Sequence, residues 1–86
     1  MTGENLWSIT VAGGEGDTAI VSLNRHAHIR QLRLEGVRAL YGPGTETDNY
    51  DVLVNGVVAH LDATLENAGL SDGAEVTILP KDVSRG

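Results

Sequence analysis

Residues 6–12, LWSITVA, alternate strictly, with Trp7, Ile9 and Val11 on one side and Leu6, Ser8 and Thr10 on the other. That is the period of a half-buried strand. Residues 18–23, TAIVSL, alternate again, and Ala19, Val21 and Leu23 share a face. Between the two runs stands GGEGD at 13–17, a glycine-rich tight turn, so the first quarter of the chain reads as a β-hairpin.

The period then changes. Over 26–41, Ile29, Leu32, Gly36 or Val37, and Leu40 recur at helical spacing, while Arg30, Arg33, Glu35 and Arg38 fall largely on other faces. Asn24 is read as the cap at the start, and Tyr41-Gly42-Pro43-Gly44 as the stop. Gly36 lies mid-helix, where glycine costs about 1 kcal/mol against alanine. Close approach of this helix to a sheet is the compensation the pattern suggests.

After a polar loop at 45–49, YDVLV at 50–54 is a strand, Asn55-Gly56 a strong hairpin signal, and VVA a short return strand. ATLENAGL at 63–70 has the composition of about one helical turn with Thr64 as its cap, Ser71-Asp72-Gly73 that of a turn. AEVTIL at 74–79 is a last strand with Val76 and Ile78 on one face. One amphipathic helix needs a sheet on which to bury its stripe. The expectation is an α+β, two-layer domain with the helix across a mixed four- to five-stranded sheet. Its first and last strands are expected to be central parallel neighbours, which the long helical connection permits. Residues 6–79 form the globule, 1–5 a flexible N-terminus, and 80–86 an extended C-terminal tail, because Pro80 stops sheet pairing.

Composition narrows the functional classes. The 86 residues hold no Cys, no Phe, one Trp and two Tyr, so the core is small and aliphatic, and thiol chemistry and disulfides are excluded. A net charge of −6 argues against nucleic acid and against an anionic membrane surface. No apolar run approaches the roughly 18 residues of a spanning helix, and Met1-Thr2-Gly3-Glu4 lacks the basic start of a signal peptide. A cytoplasmic protein that binds other proteins is expected.

Catalytic or metal chemistry finds little support. His26 and His28 are two apart and do not share a helix face, and His60 is distant. Gly13-Gly14-Glu15-Gly16 lacks the GK[ST] ending of a phosphate loop. The carboxylate pairs Asp48 with Asp51 and Glu66 with Asp72 lack the deep pocket that raises a carboxyl pKa. The chain is therefore read as no enzyme, with no metal and no bound cofactor.

The element order, Asn55-Gly56 before a short strand, and the phrase TLENAGLSDGAEVTIL resemble the ubiquitin-like β-grasp family over residues 6–79. The motifs that carry the likeness are Asn55-Gly56, Thr64-Leu65, Asp72-Gly73 and Val76 to Leu79. The NRHAHIRQL stretch leading into the helix is further similar to bacterial ubiquitin-like proteins encoded beside their own activating, conjugating and deconjugating enzymes.

The resemblance implies a protein modifier. Its C-terminal carboxylate, here that of Gly86, is adenylated with ATP used by a partner activating enzyme. It is then carried as a thioester by a conjugating enzyme, joined to target proteins and released by a deconjugating protease. Arg85 becomes a charged handle for enzyme carboxylates. Leu53 and Leu79, with Leu6 and Ile20 on the same face, become the docking surface of a protein that is monomeric when free. The family's carriers end in two glycines, whereas this chain ends Arg85-Gly86, which weakens the sulphur-carrier reading. Lys81 is the single lysine, so lysine-linked chains are not expected. A non-covalent ubiquitin-like adaptor is the alternative, and a sulphur carrier the third reading.

Overall fold

The computed structural model describes residues 6–85; the expected N-terminal segment 1–5 and Gly86 lie outside the described residues. Strands β1 (Leu6–Gly13) and β2 (Thr18–Asn24) precede helix α1 (Ile29–Tyr41). After a 3-10 turn at Thr47–Asn49 come β3 (Tyr50–Val54), β4 (Val57–Val58), β5 (Glu75–Pro80) and a single helical turn, α2 (Lys81–Ser84). The five strands lie in the order β2-β1-β5-β3-β4. As the sequence predicts, β1 and β5 run parallel, from Thr10 opposite Glu75 to Gly13 opposite Ile78, while the other pairs are antiparallel. Asn55 and Gly56 both have positive φ, 54° and 83°. Such a turn matches the twist of the strands it joins.

Helix α1 lies across one face of this sheet. Ile9, Val11, Val21, Val52, Val76 and Ile78 point up at it and meet Ile29, Leu32 and Val37 in one core. Trp7 packs against that core without being fully buried. With no Phe to fill the helix C-terminal end, Tyr41 stacks on Tyr50, ring centroids 4.9 Å apart. The close approach foreseen at Gly36 is real: a Cβ there meets Ile78 Cδ1, and Val11 Cγ1 at 3.2 Å.

Three local expectations are corrected. Asn24 does not cap α1: its Oδ1 accepts the His26 N–H at 2.8 Å, in the turn before the helix. The N-cap is His28, without a side-chain bond. The loop after β4 supplies what a cap would, since Ile29 N–H donates to Ala63 O at 2.8 Å and Arg30 N–H to Leu61 O at 3.0 Å. The single helical turn expected within 63–70 is present: Ala68 N–H donates to Thr64 O at 2.9 Å, and Thr64 caps it, its Oγ1 accepting the Asn67 N–H at 3.0 Å. The first N–H groups of that turn have no partner inside it and bond the segment before α1, Leu65 N–H to Ala27 O and Glu66 N–H to Arg25 O, while Leu65 and Leu70 drop into the core.

Arg33 is not on a solvent face but 5% exposed. It lies one turn from both Ile29 and Val37, at the edge of the apolar stripe, and the 47–50 segment closes over it. Its Nη2 donates to Asp48 Oδ1 at 3.1 Å and its Nη1 to Tyr50 O at 3.4 Å. Finally, 80–86 is not an extended tail throughout: Lys81–Ser84 is helical, closed by Arg85 N–H donating to Lys81 O at 2.9 Å. Among the described residues no helix is long and apolar enough to cross a membrane.

Candidate functional site

The face of the sheet opposite α1 carries the predicted docking residues, and strand register decides which of them meet. On β3, Tyr50, Val52 and Val54 turn toward the helix, so Asp51 and Leu53 face outward. Leu53 stands opposite Thr77 on β5 and opposite Val58 on β4. Leu79 stands opposite Asp51. Leu53 and Leu79 are therefore diagonal neighbours, about 7–8 Å apart at Cα by sheet geometry, and both are half-buried. Val58, which the alternation pattern did not single out, extends the apolar pair toward the sheet edge.

Leu6 and Ile20 share the face but not the patch. Ile20 stands opposite Thr10, which stands opposite Glu75, so polar side chains separate it from Leu53. Leu6 is at the far end of β1, beyond the parallel pairing with β5. At 48% and 70% exposure, Leu6 and Ile20 are single surface aliphatics at the β1–β2 end.

Tail and patch share a corner. β5 ends at Pro80, opposite Tyr50, and α2 folds back toward β3. Arg85, expected as a handle for another protein's carboxylates, bonds a carboxylate of its own chain. Its Nε donates to Asp51 Oδ2 at 2.8 Å and its Nη2 to Asp51 Oδ1 at 2.9 Å. Ser84 Oγ donates to Asp51 Oδ2 at 2.6 Å. These bonds from Arg85 hold the Asp51 carboxyl below the usual aspartate range, against the upward push of burial, and Ser84 and Lys81 act in the same direction as Arg85. No sequence signal announced the pair, because 34 residues separate its members.

The other carboxylates considered as acid/base candidates are apart and separately engaged. Asp48 pairs with Arg33, Asp72 Oδ1 accepts the Ser8 N–H at 2.7 Å, and Glu66 stands 3.9 Å from His26. Among the described residues no three His, Asp or Glu side chains converge as a metal site would require.

No protein-family model matches this sequence, and no curated protein matches it. Solved structures do. The UBL domain of Plasmodium falciparum Dsk2 superposes with a TM-score of 0.76 at 11% identity, covering 87% of this chain and 97% of that one. Caldiarchaeum subterraneum ubiquitin gives 0.74 at 19% identity, covering 87% and 92%. The N-terminal ubiquitin-like domain in the 4931431F19Rik protein gives 0.74 at 16%, covering 86% and 73%. Identities this low speak of fold alone. The chain has the ubiquitin-like β-grasp fold.

Proposed function

We propose that the protein is a ubiquitin-like modifier, joined to target proteins through the carboxylate of Gly86. The observation that carries the reading is the shared corner: the segment leading to Gly86 leaves β5 beside the Leu53–Leu79 pair. A partner seated on those leucines is within reach of the tail. Glycine at the reacting position suits a narrow active site, since a backbone without Cβ admits close approach. In this reading ATP is consumed by a separate activating enzyme, which adenylates the carboxylate with loss of pyrophosphate. An enzyme thiol then displaces AMP, a conjugating enzyme carries the resulting thioester, and a target nucleophile displaces the thiol. The protein contributes the docking face and the terminus, and catalyses none of these steps. Enzymes encoded beside it, including a deconjugating protease, are part of the proposal.

The docked tail favours a second reading, a non-covalent adaptor that acts through the Leu53–Leu79–Val58 patch alone. Epitope-tagged protein in its own cell lysate with ATP separates the two. A modifier gives covalent species that survive boiling in detergent and disappear when Gly86 is deleted. Tryptic cleavage after Arg85 then leaves a single-glycine remnant on the acceptor amine, readable by mass spectrometry. Complexes that are all non-covalent, and form equally with the Gly86 deletion, establish the adaptor instead.

A further inference from the structure

Outward-facing positions of an uncovered sheet are wet, as Ile20 is at 70% exposure, yet outward-facing Asp51 is 3% exposed. Ser84 and Arg85 of the chain's own tail bond directly to it. A carboxylate this dry is costly unless paired, and a fork of two parallel N–H bonds from one guanidinium is the geometry that pairs it best. Arg30, His60, Asp62 and Lys81 line the same cleft. Arg30, however, is committed to Asp62 at 2.7 Å. The bonds to the Asp51 carboxylate therefore come from the tail: two from Arg85 and one from Ser84.

We infer that residues 81–85 are a latch, docking the C-terminal segment on its own sheet through Arg85, Ser84 and Asp51, and that it has to open before Gly86 can enter another protein's active site. The latch stands on the contacts alone; its role as a gate rests on the modifier reading above. It is built to open. Arg85 remains 59% exposed at its side chain, so water competes for one partner while the other is buried. Opening strands the Asp51 charge beside Leu53 and Leu79. A partner that brings an arginine or lysine to that corner replaces the lost guanidinium, binds the open form better, and so shifts the population toward release.

Limited trypsin digestion of the full chain tests the latch. The Lys81–Asp82 bond lies in the helical turn, and a protease cleaves it from the opened, extended form. In Asp51→Asn, which keeps the shape and removes the charge, cleavage after Lys81 should be about tenfold faster. Arg85→Gln and Ser84→Ala alter half-buried or exposed tail positions without touching the core, and should accelerate the same cut if Asp51→Asn fails to fold. A synthetic peptide of residues 78–86, with and without Arg85→Gln, sets the intrinsic rate. Wild-type rates in Arg85→Gln and Ser84→Ala overturn the latch.

Acid provides an independent reading. Pairing lowers the Asp51 pKa in the docked state, so its contribution is full above the ordinary carboxylate range. It is lost as the pH falls below about 4. NMR order of residues 81–85, taken relative to β1 and β5, should fall over that range in the wild type and stay low throughout in Asp51→Asn. A wild-type tail equally ordered on both sides of it overturns the charge tie. Should Asp51→Asn form covalent adducts no faster than wild type, the latch survives and the gate does not. A tail protected from trypsin in a protein that forms no adducts removes the modifier reading and leaves the latch in place.

Discussion

Ile78→Ala should destabilise the domain by about 3–4 kcal/mol, the melting temperature falling by roughly 15–25 °C in a chain of this size. Ile78 is fully buried on the central strand β5. It stands in register with Val52 on one side and Gly13 on the other, and its side chain reaches up to Gly36 of α1. The sheet cannot close around the lost atoms, because β1 and β3 fix β5 from both sides. The helix cannot descend either, because the loop after β4 is bonded to its first turn. A cavity that cannot collapse keeps its full cost. Against a total stability of about 5–10 kcal/mol, the loss brings a large part of the molecules close to unfolding. Thermal melting by circular dichroism reads this directly; a drop below about 5 °C means that α1 or the sheet relaxes more than this packing allows.

The same residue shows why most of the fold was legible. Alternation at Val76 and Ile78, the hairpin around 13–17, and Asn55-Gly56 are local patterns fixed by covalent geometry and by the polarity of adjacent residues. They survive without knowledge of what lies across the core. What escaped was non-local. The helix start was missed because its free N–H groups are satisfied by carbonyls of Leu61 and Ala63, some thirty residues on, not by Asn24. Arg33 was misplaced because spacing alone cannot say whether a stripe-edge position is closed over by a later loop. From the sequence Asp51 is only one of two nearby carboxylates and 80–86 only an extended tail, because what each does is explained by the other.

This division extends to the candidate site. Alternation identifies Leu53 and Leu79 as outward aliphatics, and the family resemblance puts them on neighbouring strands. That Leu6 and Ile20 stand apart from them follows from register, which places Thr10 and Glu75 in between. The patch is thereby confined to the β5–β3–β4 edge, at the end from which the tail departs. A ubiquitin-like fold offers a broad outer face, and here its functional candidates concentrate in one corner that the tail already occupies. Under the modifier reading proposed above, docking and release of the terminus are coupled in space, since α2 follows directly on the strand that carries Leu79.

Gly36→Ala should destabilise by about 1–2 kcal/mol, although an alanine in mid-helix is worth about 1 kcal/mol over glycine. The sign follows from what a methyl group at this position meets. Its Cβ falls on Ile78 Cδ1 and within 3.2 Å of Val11 Cγ1, both in side chains with no exposed surface. A flexible side-chain end yields cheaply when there is space to swing into, and the surrounding core leaves Ile78 none. Either α1 lifts from the sheet, loosening every contact along its stripe, or Ile78 leaves its rotamer. Replacing Ile78 with valine removes the very atom in the way. Ile78→Val alone should cost about 1 kcal/mol, yet the double substitution Gly36→Ala with Ile78→Val should be less destabilising than the sum of the two by about 1 kcal/mol or more. Denaturant unfolding of the four proteins closes the cycle. Additive effects mean that the helix adjusts elsewhere, and a Gly36→Ala protein more stable than the parent means that glycine is not what lets α1 lie this close. A favourable coupling fixes the cause: the helix bears a residue unfavourable to helices because the sheet beneath it carries an isoleucine, and the two positions set the depth of the core between them.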